Sequence, residues 1–140
     1  MRLDTILRVA AKLFIPFIFL FGLYVQLHGD FGPGGGFQAG VILAAGVILY
    51  AIIFGLSAAQ AKVRPWFVEL LVPAGVLLYA GVGIWGFVTG VNYLDYNELA
   101  HGDRVHGQHW GVFLVEIGVL VTVASTMLAI FYAFAGRGRR

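Results

Sequence analysis

The sequence predicts an all-α integral membrane protein with four transmembrane helices and both termini in the cytoplasm. Three observations carry this expectation. Of the 140 residues, 60% are hydrophobic and only 11% are charged, whereas a soluble domain of this length carries about a quarter charged residues. Four apolar runs are each long enough to cross a bilayer as a helix, which takes about 20 residues. The basic residues gather at alternate ends of those runs.

The first run extends from about Val9 to Leu27, with Lys12 near its start. Pro16 frees the carbonyl of Lys12 from its helical partner, so a bent first span is expected. A basic N-terminus before an apolar run mimics a signal peptide. No small-x-small cleavage site follows before the glycine-rich loop, so the run is expected to remain as a span. The second run, about Phe37 to Ala59, holds no charge. The third, about Trp66 to Gly90, carries Glu69 near its start and Pro73 four residues on. The fourth, about Trp110 to Ala135, contains Glu116. Each run must be helical, because lipid offers no partner for a free backbone amide. The runs are too long, and too apolar on both alternating faces, for the strands of a barrel. The whole chain, 1–140, reads as one membrane domain, and the loop from Val91 to His109 has room for little more than a short surface helix.

Orientation follows from charge. Arg2, Arg8, Lys12, Lys62, Arg64, Arg137, Arg139 and Arg140 all fall on one side, with Arg104 alone opposite. That opposite side holds Asp30, Asp95, Glu98 and Asp103. The positive-inside rule assigns the basic side to the cytoplasm. The net charge of +2 therefore carries no nucleic-acid signature, since the cations sit at run ends and not on one face of a folded domain. With no Cys, this chain can form neither a disulfide nor a thiolate metal site.

The segment HGDFGPGGGFQAG, His28 to Gly40, places flexible backbone at the mouth of the second span. Pro33 suits the first turn of a helix. Gly34, Gly35 and Gly36 would leave bare amides at a helix N-terminus, which carries partial positive charge. Gly36, Gly40 and Ala44 recur every four residues, with Gly55 on roughly the same face, and small residues at that spacing let helices approach closely in lipid. A tight turn with a smooth packing face explains the segment. So does a re-entrant stretch lining a polar cavity. A phosphate-binding loop does not, because Gly36 is followed by Phe37 and Gln38 where Walker A requires Lys and Ser or Thr.

This segment carries a resemblance. LHGDFGPGGGFQAGVILAAGVILY, residues 27 to 50, resembles the hallmark stretch of the B subunit of Mrp-type (Mnh/Pha) multisubunit sodium/proton antiporters. FLVEIGVLVTV, residues 113 to 123, and the four-span size fit the same family. The related domain also occurs in membrane-bound hydrogenase complexes and at the end of the large antiporter subunit. The resemblance implies a small, non-catalytic subunit of a cell-membrane complex that exchanges cytoplasmic Na+ for external H+. Its partners would be the other subunits and the lipid bilayer, and no cofactor or nucleic acid is expected.

Two intramembrane acids are candidates for an ion route. Glu116 lies six residues into the fourth run, about 9 Å below its outer end. An ionised carboxylate facing lipid at mid-depth costs roughly 2.5 kcal/mol or more, so Glu116 should face protein or water, or be protonated. A hydrogen-bonded carboxylic acid serving packing alone explains it equally well. Glu69 is nearer the inner surface, where it can snorkel or pair with Lys62 or Arg64. Pro73 frees the carbonyl of Glu69, which sets a carboxylate beside a bare carbonyl. Pro33 and Phe37 join Glu116 and Glu69 as the expected polar route. Gly34, Gly35, Gly36, Gly40 and Ala44 are the expected packing residues.

His101, His106 and His109 share the outer side with His28, Glu98 and Asp103. No standard zinc spacing appears, so the expectation is a solvated loop that contacts a partner and no metal site. Three rivals stay open: the related hydrogenase subunit, a small membrane enzyme using the outer His cluster, and a stand-alone channel.

Overall fold

The computed structural model describes residues 3–29, 32–90, 92–96 and 104–137. Five helices follow one another: α1 (Leu3–His28), α2 (Gly36–Phe54), α3 (Leu56–Lys62), α4 (Pro65–Val88) and α5 (Arg104–Gly136). No strand occurs among the described residues. Four stretches are long and apolar enough to cross a membrane: Asp4–His28, Gly36–Phe54, Pro65–Val88 and Gly107–Gly136. The chain is a multi-pass membrane protein.

Three boundaries differ from the sequence expectation. The first helix begins at Leu3, six residues before Val9. The second span ends at Phe54, not near Ala59, because Gly55 adopts φ +98° and ends the helix. Only glycine takes that backbone without strain. The short α3 then leaves in a new direction. Gly55 meets no atom within 4 Å where a Cβ would stand, so it breaks the helix and does not extend the packing face. The fourth helix begins at Arg104, before Trp110, and takes in part of the segment expected to be loop. α1 and α4 each continue through their internal prolines, Pro16 and Pro73.

The extensive contacts join α1 to α2, α2 to α5 and α5 to α4, with α1 touching α5 slightly. The long helices therefore stand in a row ordered α1, α2, α5, α4. Glycines set each interface. Between α1 and α2, which are antiparallel, Gly22 faces Leu43 and Gly46 faces Phe19. α2 and α5 run parallel, with Gly36 against the Glu116 backbone and Gly40 against Leu120 and Val123. α4 and α5 are antiparallel, with Gly75 and Gly118 facing each other beside Thr122. Close backbone approach of this kind takes the place of the hydrophobic effect, which lipid cannot supply between helices.

Towards the end of the row that carries α3, Ala44, Val68, Leu128 and Tyr132 form the buried cluster, with Val47, Leu56 and Val63 packed on it. The Tyr132 hydroxyl donates to the Val63 carbonyl at 3.0 Å and ties α5 to the α3–α4 link. At the opposite end, residues 92–96 fold back over the helices. The Tyr93 ring covers Gly83 and lies 5.5 Å from Phe87, while the Tyr96 ring covers Gly111. A row has two open faces, and large apolar side chains such as Leu13, Phe17, Leu20 and Phe134 remain exposed on them.

Candidate functional site

The site forms where the glycine-rich loop meets α5. The loop lies flat on the end of α1. The Gly35 N–H donates to the Val25 carbonyl at 3.1 Å, and the Gly29 N–H to the Gln26 carbonyl at 3.5 Å. Gly34 lets the Val25 carbonyl come within 2.7 Å of where a Cβ would stand. Gly35, at φ +111°, is the N-cap of α2, and its carbonyl accepts the Ala39 N–H at 3.1 Å. Pro33 thus lies three residues before the helix and is exposed. It is not in the first turn as expected, and the Gly35 amide is already partnered.

Against this loop stands Glu116. Both carboxylate oxygens lie 2.7 Å from the position a Gly29 Cβ would take, and Oε1 lies 2.9 Å from that of Gly35. Side chains at either glycine would collide with the carboxylate. The backbone carbonyl of Glu116 meets Gly36 more closely still. One acid is therefore held by two glycines of the loop, at its carboxylate, and by the first glycine of α2, at its backbone. It also faces the N-terminal end of α2, whose dipole complements a negative charge. On α5, Glu116 sits six residues past Trp110, about 9 Å along the axis.

The other expected site residues fall elsewhere. Phe37 is 61% exposed and stands on the outer flank of α2. Gly36, Gly40 and Ala44 are buried, and Gly36 and Gly40 pack on α5. Glu69 is exposed near the opposite end, where it lines a shallow cavity of about 220 Å³ with Gln60, Pro65, Ala129 and Tyr132. Ala129 lies 13 residues beyond Glu116 on α5, so the two acids are separated by about 20 Å along the helix. They do not form one site. His28 stacks on Tyr24 at 5.4 Å, beside Gly32. His109 is exposed, while Asp30, Glu98, His101 and Asp103 lie outside the described residues, as does the side chain of His106.

Sequence reasoning missed Gln26. It is 5% exposed, and among the described residues neither its amide nitrogen nor its amide oxygen has a partner. It lies one turn below Gly29, on the α1 face that carries Gly22. Its only signal in the sequence is being the one polar residue in the outer half of the first run. The tyrosine lid was also missed. Burial, reinforced by Tyr79 and Tyr93, raises the Tyr96 phenol above its usual range.

The family described as a domain related to the MnhB subunit of Na+/H+ antiporter matches residues 6–129. The chain belongs to this family. The match takes in the glycine loop, Glu116, α2, α4 and most of α1 and α5. Relatives of the MnhB type agree along nearly the whole length. The B subunit of the Na(+)/H(+) antiporter of Bacillus subtilis (strain 168) is 30% identical, over 89% of this chain and 92% of its own. The putative antiporter subunit mnhB2 of Staphylococcus haemolyticus is 28% identical over 95% of each chain. That of Staphylococcus aureus (strain Newman) is 27% identical over 95% of each.

Proposed function

We propose that this chain is the B subunit of a multisubunit antiporter in the cell membrane that exchanges cytoplasmic Na+ for external H+. The near full-length match to relatives named as antiporter subunits carries the reading. The open helix row supports it, because a row with two apolar faces suits a part that docks against other subunits. It gives the stand-alone channel no lumen of its own. Both termini lie in the cytoplasm in this reading, and the glycine loop lies outside.

Glu116 serves the complex as a carboxylate held at fixed geometry inside the membrane, able to exchange a proton or bind a cation. Oxygen ligands suit Na+ as they suit other hard cations. Glu69, Pro33 and Phe37 act separately, as surface positions against neighbouring subunits.

The test has two steps. Native purification with mass spectrometry should recover the chain with large antiporter-like subunits and other small membrane subunits. Iron–sulfur or nickel subunits would move it to a hydrogenase complex, and recovery alone would remove the antiporter reading. In the assembled complex, Glu116→Gln should lower antiport while leaving subunit content intact. Unchanged antiport at equal assembly would remove the relay role and leave packing.

A further inference from the structure

The inner end of the molecule contains a slot that the antiporter reading does not use. α1 and α2 are in close contact midway, where Gly22 meets Leu43 and Gly46 meets Phe19. Below that contact α2 stops at Phe54, and the positive φ of Gly55 turns α3 away. The three helices leave a slot of about 290 Å³ between them, lined by Ile15, Phe19, Val47, Tyr50, Ala59 and Lys62. Lys62 supplies its one charge. Two more cations stand at the same end, Arg8 and Lys12, whose charged groups lie 5.9 and 6.0 Å from the Phe54 ring centroid. Asp4 shares a separate small cavity with Arg8, Ile52 and Ile53 and does not line the slot.

We propose that this slot binds an anionic phospholipid, with an acyl chain between α1, α2 and α3 and the phosphate at Lys62, flanked by Lys12 and Arg8. An apolar slot with a lysine in its lining and two more cations at the same end matches a lipid in both parts. Basic recesses between membrane helices bind anionic headgroups for this reason. A partner helix would need an apolar stripe running the full depth of the bilayer, and the tight α1–α2 contact interrupts one here. The proposal does not depend on which complex the chain serves.

The test uses the chain in its native complex, extracted in mild detergent. A phosphatidylglycerol analogue with a photoreactive acyl chain is added and the labelled peptides are mapped. Labelling should centre on the peptides carrying Val47 and Tyr50, and a phosphatidylcholine analogue should label them less. Lys62→Gln should reduce labelling about fivefold, the share of one interfacial cation, and Lys62→Arg should preserve it. Two results would overturn the proposal. One is equal labelling by both analogues that ignores Lys62→Gln. The other is no labelling in the assembled complex, which would assign the slot to a neighbouring protein of the complex. If the chain purified alone, the same labelling would still decide the lipid site, so the two readings fail separately.

Discussion

Gly36→Ala is the sharpest perturbation of the site. A Cβ at Gly36 would overlap the backbone carbonyl of Glu116. That carbonyl belongs to a helix and cannot swing aside, so α2 and α5 must separate. Overpacking of this kind costs about 1–3 kcal/mol. The helix-forming advantage of Ala over Gly, about 1 kcal/mol in a helix interior, counts for little at the first residue of α2. At Gly40 the same substitution meets the Leu120 carbonyl at 2.9 Å and Val123 Cβ at 3.0 Å. There the interior advantage of Ala offsets part of the clash. At Gly81, on α4, a Cβ meets nothing within 4 Å, and Ala should be neutral or stabilising by up to about 1 kcal/mol. Thermal unfolding in detergent should therefore rank Gly81→Ala above Gly40→Ala above Gly36→Ala. Antiport by the complex should fall most for Gly36→Ala, because moving α5 takes Glu116 out of its glycine grip. If Gly36→Ala matched Gly81→Ala in both assays, the close approach of α2 and α5 would be refuted.

Three further outcomes follow from named contacts. Gln26→Leu keeps much of the side-chain volume and removes two orphaned polar atoms, each costing about 1–3 kcal/mol when buried, so thermal stability should rise. A fall would mean that the amide is satisfied in the assembled protein. Tyr132→Phe removes the hydrogen bond to the Val63 carbonyl and should lower thermal stability by about 1 kcal/mol. Tyr96 holds its proton to higher pH when folded than when unfolded, because burial raises it. Its stabilising contribution is present below the ordinary tyrosine range and is lost as pH climbs through the raised value. An ultraviolet titration of the Tyr96→Phe variant should show one late-ionising tyrosine fewer than that of the parent, and a titration unchanged by that substitution would contradict the lid.

The glycine segment shows how far a linear pattern reaches. The four-residue spacing of Gly36, Gly40 and Ala44 marks a packing face because helical periodicity is local. The spacing does not say which helix covers that face. The covering helix is α5, more than seventy residues away in the chain. Gly55 continues the spacing by count alone, and its backbone, not its lack of a side chain, decides its role. Pro33 has the chemistry of a helix start, yet the loop needs three more residues to cross the end of α1. Tyr93 and Tyr96 sit in a segment without periodicity, and only the glycines beneath them give those rings a place.

The sequence by itself determined the four apolar helices and the family, and it singled out the glycine loop and Glu116, because hydropathy, charge placement and motif are properties of neighbours along the chain. Tertiary structure alone decided that the helices stand in the order α1, α2, α5, α4. It also decided that Gly29 and Gly35 close on the Glu116 carboxylate while Gly36 meets its backbone, and that a slot opens beside Lys62. Those facts depend on which backbones approach one another, and close approach is settled by packing between segments that are remote in sequence.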